Sequence, residues 1–329
     1  MIEKVVRKAI CLPTTFFIKG RREKGSKSGL TFLAINRWKG MEFFLLLQGV
    51  MNGVMLGLFY VLIALGLSLI FGIMRIVNFA HGEMYMLGGY VAYYLFGIFG
   101  LNYFVAMIAA LILVGGLGAL LEKIIFRPLT ARPQMELTSL IAALGLAWVF
   151  QMLAVICFGE LDKKVPSAFK GIINLSGVVI SKERLAAIII GTILISLLNL
   201  FLLRTKAGNA IRAVAQDKEA AALQGVNVNR ISALSFSIGC GLAASAGVLM
   251  APIFVINPSV GSDVILKAFL VVILGGMGSI PGAMLGGLLL GFIESFGCLF
   301  FSVPTMNVIT FILILITLIV RPQGLLGRE

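Results

Sequence analysis

Charge is scarce in this sequence. Aspartate, glutamate, lysine and arginine make up 12% of its 329 residues, where a soluble domain carries about a quarter. That deficit, beside 60% hydrophobic residues, excludes a water-solvated enzyme, a nucleic-acid binder and a disordered chain, and leaves lipid as the solvent. There is one histidine, His81, so a multi-histidine metal site within the chain is excluded and no metal is expected. The cysteines Cys11, Cys157, Cys240 and Cys298 have no metal-like spacing. The last three lie in or at apolar runs and read as reduced core residues. The pattern G-x-x-x-x-G-K-[ST] is also missing, so the chain carries no nucleotide-binding P-loop.

The charge that is present is positive, +13 in all. Residues 1–40 hold ten Lys/Arg against Glu3 and Glu23. The rest falls mostly in gaps between apolar runs, as in a membrane protein with basic loops, and no nucleic-acid partner is needed to explain it. The segment 1–40 is a poor signal peptide, because Arg7, Lys8 and Pro13 break its apolar stretch and a second basic block, Arg21–Lys27, follows. Met41 then opens a long apolar run. Two readings stay open: Met41 is the physiological start, or residues 1–40 are a disordered appendage to a transmembrane domain over 41–329.

A spanning helix needs about 20 mostly apolar residues. Phe43–Met74, Tyr103–Leu121, Leu137–Phe158, Leu185–Leu203, Ile231–Ile256 and Val303–Val320 qualify, Met84–Phe99 is shorter, and Val264–Gly275 and Ala283–Phe301 flank a glycine-proline break. The expectation is an all-α polytopic membrane protein of about eight transmembrane helices, re-entrant or broken near 75–99 and 264–282. A spanning barrel would alternate with period two, which this sequence does not. Loops 122–136 and 204–230 and the tail Arg321–Glu329 share a side, taken as the cytoplasm. The basic N-terminal block favours that side too, and parity then requires a re-entrant Met84–Phe99 or a break near residue 75. Small residues at spacing four (Gly53/Gly57, Gly282/Gly286, Gly287/Gly291, and the ridge Gly239, Ala243, Gly247) allow close helix approach, either within the bundle or against a second membrane subunit.

Three segments carry chemistry. The first, Asn78-Phe79-Ala80-His81-Gly82-Glu83, places polar and ionisable groups between two apolar runs. Asn78 suits a helix cap near Phe79 and Glu83 suits the positive end of that helix. It is a capped interfacial turn or a lining of a translocation path, where polar groups at membrane depth tend to lie. The second, Gly275-Gly276-Met277-Gly278-Ser279-Ile280-Pro281-Gly282, is a tight turn between crossings or a broken helix facing a cavity. The third follows Leu203. Asp217 is a helix cap, Glu219 favours the first turn, Ala220 and Ala221 propagate the helix and Gly225 suits the residue just past its end. A short helix over about Lys218–Gln224, including Leu223, therefore lies in a polar loop, as a solvated linker or as a foot for a partner's groove.

Here the residues resemble a family. Glu219-Ala220-Ala221, three further residues and then Gly225 looks like the signature of ABC importer permeases, without the family's later apolar-Pro ending. Together with Asn78–Gly82, Gly275–Gly282 and Arg321-Pro322-Gln323-Gly324-Leu325-Leu326-Gly327-Arg328, the chain resembles the branched-chain amino acid permeases of bacterial ABC importers, in particular the H-type member of the Liv pair, over Met41–Arg328. The resemblance implies a non-catalytic multi-pass subunit of the bacterial plasma (inner) membrane that forms half of a translocation pathway for leucine, isoleucine and valine. Urea and short-amide permeases resemble the same pattern. It implies four kinds of partner: a second homologous permease, two cytoplasmic ATPases that bind the ATP, a periplasmic or lipid-anchored binding protein, and membrane lipid. No cofactor is expected in this chain. Asp217, Lys218, Glu219, Ala220, Ala221, Leu223 and Gly225 would form the coupling helix. Asn78, His81, Glu83, Gly275, Gly276, Gly278, Ser279 and Pro281 are the path candidates. Glu294 is a further intramembrane acid, for which an interhelical hydrogen bond is the first expectation. The rival classes are an intramembrane enzyme, for which His81 and Glu83 are the nearest constellation and lack a second histidine, and a gated channel without an ATPase.

Overall fold

The computed structural model describes residues 27–326 apart from 131, 133, 176, 177 and 322. The readings placed on residues 1–26, Pro322, Gly327 and Arg328 lie outside the described residues. The described residues are helical, as expected, with one small β-hairpin among them. The helices are α1 (Lys27–Met74), α2 (His81–Ala92), α3 (Tyr103–Leu121), α4 (Arg127–Thr130), α5 (Met135–Phe158), α6 (Lys182–Arg204), α7 (Lys206–Gln216), α8 (Lys218–Leu223), α9 (Val228–Met250), α10 (Val260–Gly275), α11 (Ile280–Phe300) and α12 (Val303–Val320). π-helical turns extend α2 over Tyr93–Ile98 and join α3 to α4 over Glu122–Phe126. The hairpin pairs β1 (Ile172–Leu175) with β2 (Val178–Ser181), antiparallel, with Ile172 opposite Ser181.

Seven helices among the described residues are long and apolar enough to cross a membrane. Two shorter ones, α2 and α10, complete the bundle, against an expectation of about eight crossings. Backbone satisfaction explains where helices begin, because in lipid no water replaces a missing partner. Asn102, Ser181, Thr205, Asp217, Asn227 and Ser279 each accept an amide of the helix that follows. α1 and α9 form the centre, with 78% of each spanning window buried, while α5 (11%) and α12 (17%) lie outside. The outer helices turn Ile108, Ile112, Ile141, Met152, Phe311 and Leu315 outward, as a lipid-facing surface requires.

The small-residue pairs resolve to packing inside the bundle. A Cβ on Gly291 would lie 2.2 Å from the Gly57 amide, and one on Gly53 would meet Phe292, so α1 and α11 touch backbone to backbone and run antiparallel. Gly275 and Gly282 join α10 to α11 in the same way, Gly239 meets the Gly66 carbonyl of α1, and Gly247 meets the Tyr85 carbonyl of α2.

Neighbouring contacts also fix direction. Arg184 donates to Asn52 at 2.5 Å, near the leading end of α6 and of the spanning part of α1, Leu46–Met74, and Gly191 sits beside Leu58 and Leu62, so α1 and α6 run parallel. The Leu46 end of α1 and the 204–230 loop therefore stand at opposite ends of the bundle. The basic N-terminal block, expected on the loop's side, lies largely outside the described residues. A break near residue 75, one of the two alternatives of the parity count, is present after Met74. α1 ends at Met74, but α2 begins beside Ile63 and Gly66. Ile63 is eleven residues back along α1, roughly 16 Å at 1.5 Å per residue. The chain thus re-enters non-helically to mid-depth before α2 carries it on. The segment 251–259 does the converse from the other end: α9 stops at Met250, and Gly261 at the start of α10 packs on Gly82 and Glu83. Lys163 and Ile256 exchange both backbone hydrogen bonds at 2.8 Å, tying that second break to the 159–171 loop.

Candidate functional site

The two mid-depth breaks meet. Asn78 is buried and its Oδ1 accepts the Ala80 amide at 3.1 Å. It closes the turn before α2, which starts at His81 and not near Phe79 as Asn78 had suggested. His81 is fully buried, and its Nε2 donates to the Ile63 carbonyl at 3.2 Å, an assignment the carbonyl dictates because it can only accept. A side chain at Gly66 would collide with this ring, and so would one at Gly261 with the Glu83 carboxylate, 2.6 Å from Oε2. Glu83 sits in the first turn of α2 and beside the first turn of α10, where two positive helix ends converge. Its Oε2 and His81 Nδ1 have no hydrogen-bond partner among the described residues. The structure thus brings Asn78, His81 and Glu83 together.

Gly275, Gly276, Gly278, Ser279 and Pro281 lie elsewhere. The segment forms a tight turn at the same end of the bundle as Met74, and its Met277 lines an apolar cavity. Gly276 (φ +103°) and Gly278 (φ +80°) take left-handed conformations, Ser279 Oγ accepts the Gly282 amide at 3.1 Å, and Pro281 sits in the first turn of α11. The C-terminal motif has a structural duty here. Leu325 and Leu326 donate to the carbonyls of Leu274 (2.8 Å) and Gly275 (3.0 Å), carbonyls that the end of α10 leaves without helical partners.

The foot between α6 and α9 has the expected small helix. Asp217 Oδ1 accepts the amides of Glu219 and Ala220, both at 2.9 Å. At the other end Gly225 (φ +83°) donates to Ala222 at 3.0 Å and Val226 to Ala221 at 3.1 Å, the paired bonds of a Schellman stop. Only Ala221 of α8 is buried; Lys218, Glu219 and Ala220 are exposed, and Leu223 is 87% exposed. The sequence reading missed α7. That helix buries Gly208, Ile211 and Val214, and Gly208 rides on the Phe201 carbonyl and Leu202. Its signal is an apolar recurrence every three residues, diluted by Lys206, Asn209 and Arg212.

The sequence reading also missed Lys267, a single cation inside a run taken as apolar. Its Nζ donates to Tyr60 Oη at 3.1 Å and to Glu294 Oε2 at 3.1 Å, and lies 2.9 Å from Oε1. Tyr60 Oη donates to Glu294 Oε2. The three residues join α1, α10 and α11 across the middle of the α1 span. Glu294 therefore does make the interhelical hydrogen bond expected of it. The open side of α10 differs from the lipid-facing helices: Ser262, Asp263 and Leu266 are exposed and Lys267 is partly so. Below them a cavity of about 250 Å³ is lined by Leu67, Phe71, Phe79, Leu266, Phe269 and Leu270 among others.

A bundle whose crossings are broken at mid-depth, which keeps an ion pair there and extends a capped polar helix from one end, is a multi-pass membrane protein with the architecture of a transporter. The chain belongs to the family described as branched-chain amino acid transport system / permease component, whose model matches residues 49–319. It is 38% identical over 301 residues to the high-affinity branched-chain amino acid transport system permease protein BraD of Pseudomonas aeruginosa. It is 38% identical over 305 residues to the protein LivH of the same description from Salmonella typhimurium, and 37% identical over 303 residues to that from Escherichia coli strain K12. Each match covers 87% of this chain and 97% of the relative. No solved structure matches this chain.

Proposed function

We propose that the chain is one transmembrane half of an ATP-driven importer of leucine, isoleucine and valine in a bacterial plasma membrane. It would pair with a second homologous permease, two cytoplasmic ATPases and a periplasmic or lipid-anchored binding protein. The observation that carries this reading is the foot. α8 is capped at both ends by its own side chain and backbone, so it holds its shape without a partner, yet it presents a bare Leu223 beside Glu219 and Lys218. An exposed leucine on a rigid polar helix fits an apolar socket in a soluble subunit. ATP-driven closure of the ATPases would press on α8 and switch the bundle between outward and inward access. The loops 122–136 and 204–230 and the tail then face the cytoplasm. The chain's own residues supply shape, orientation and polar groups along the path, with no bond-making step.

The test is uptake by the complex in vesicles. Glu219→Lys, Leu223→Asp and Gly225→Trp should each abolish leucine uptake and loosen co-purification of the ATPases, with the permease still present in the membrane. Normal uptake by all three would remove the foot from the mechanism. The cognate binding protein should prefer leucine, isoleucine or valine over urea; preference for urea would replace the substrate assignment.

A further inference from the structure

An exposed carboxylate and a partly exposed ammonium on one helix face at membrane depth need a purpose. Each costs about 2.5–3.5 kcal/mol to insert even by the mildest scale. Asp263 and Lys267 stand four residues apart on α10, the spacing at which an ordinary helix closes an ion pair. They do not close one. Lys267 is drawn sideways onto Glu294 and Tyr60, and Asp263 makes no ion pair among the described residues. What remains is an anion without an ion pair among the described residues, beside a cation shared with Glu294. Lys267 Nζ touches Tyr60 Oη and both oxygens of Glu294, at 3.1, 3.1 and 2.9 Å, so an incoming carboxylate takes the place of one of these contacts. Directly below, the apolar cavity begins at Leu266 and Leu270, which flank Lys267 on its own helix. A dry cavity of about 150 Å³ accepts a benzene ring, so about 250 Å³ takes a four-carbon aliphatic group.

Resting on the importer reading, we propose that this face of α10 is the station on the path that recognises a free amino acid. Asp263 receives the α-ammonium, Lys267 receives the α-carboxylate, and the chamber below receives the branched side chain. Glu294 and Tyr60 are positioning residues: they neutralise the lysine when the station is empty and hold its stem in place. Because Glu294 competes for the same ammonium, the substrate carboxylate is held loosely enough to leave, which a station on a path must allow. A neutral amide such as urea offers neither charge and no side chain to this arrangement.

The experiment uses the assembled complex in proteoliposomes with leucine, its binding protein and ATP. Lys267→Met with Glu294→Leu replaces the ion pair by apolar groups, an exchange that proteins often tolerate without loss of stability. This double variant is expected to assemble with the ATPases and keep receptor-stimulated ATP hydrolysis, while leucine carried per ATP falls at least tenfold. Lys267→Arg is expected to recover most of that loss. If the apolar pair carries leucine as the wild type does, the lysine is only a clamp between helices and the proposal is overturned. Should the double variant fail to assemble, Lys267→Cys decides. On the proposal it reacts with a water-soluble thiol reagent, leucine under turnover slows that reaction, and an aminoethyl adduct restores uptake where a neutral adduct does not. A thiol that stays unreactive, or equal uptake with both adducts, also overturns it. A wild-type complex that imports no amino acid at all would sink the importer reading itself, a result distinct from any of these.

Discussion

A methyl group placed on Gly291 tests the close contact on which the bundle depends. Its Cβ would stand 2.2 Å from the Gly57 amide nitrogen, 2.4 Å from the Gly57 Cα and 2.7 Å from the Gly53 carbonyl. All three atoms are backbone, so no side chain can swing aside. Reaching ordinary contact at about 3.4 Å requires α11 to draw back from α1 by roughly 1 Å. A gap of 0.5–1 Å forfeits about a quarter to a half of each dispersion contact it opens, and overpacking of this sort costs about 1–3 kcal/mol. Lipid tails solvate apolar side chains as well as the protein does, so no gain in hydrophobic burial offsets that loss. The control is Gly145→Ala in α5, where a Cβ meets nothing within 4 Å. Helical propensity favours alanine by up to about 1 kcal/mol in water. In a membrane the unfolded reference is still helical, so the control should change by no more than about 0.5 kcal/mol. Unfolding in detergent or bicelles, by thermal shift or steric trapping, measures both. Equal stability of the two variants would refute the backbone contact between α1 and α11.

Asp217→Ala leaves two amides of α8 without their acceptor and should cost the foot about 0.5–2 kcal/mol; hydrogen exchange should quicken at Glu219 and Ala220 and stay unchanged in α9. Gly324→Val places a β-branched residue at φ +77° with its Cβ 2.6 Å from the Gly276 amide. It should detach the tail from α10, seen as protease sensitivity at residues 321–326, while the transmembrane fold persists.

Much of this was written in the local sequence, and what was missing had a common cause. The long uncharged runs name α3, α5, α6 and α12 because nothing but a spanning helix tolerates them. The foot was legible to the residue, from Asp217 at one end to Gly225 at the other, because caps act over three or four positions and need no tertiary information. Small residues at spacing four announced close packing, but not that Gly53 and Gly57 face Gly291, since a partner helix leaves no mark on spacing. The break after Met74 was visible as polar residues at 78–83. That α2 begins at mid-depth was not, because depth is measured against α1. Lys267 was overlooked for the opposite reason: averaged over Val264–Gly275 a single cation hardly lowers hydropathy, and its acid lies 27 residues away on the next helix. The β-hairpin escaped notice because two four-residue strands are too short for periodicity to register.

On the proposed reading, the arrangement also links the foot to the station. α8 is separated from α9 by four residues, and Asn227 in that link caps α9 by accepting the Arg230 amide at 3.1 Å, so the joint is short and tied. α9 is buried continuously from Gly239 to Met250 and carries Gly239 and Gly247 against α1 and α2 at backbone distance. A helix that packs through glycine has no compressible side chains at the contact, so it moves as a rod or not at all. At its far end α9 gives way to the non-helical 251–259 segment, which leads directly into α10 and hence to Asp263 and Lys267. The rigid element lies between foot and break, and the break is where backbone can change conformation without breaking a helix. α10 is moored at its other end by the tail through Leu274 and Gly275. On the proposed reading, a thrust along α9 reaches α10 through 251–259, at the end that bears the charged face and packs through Gly261 on Gly82 and Glu83.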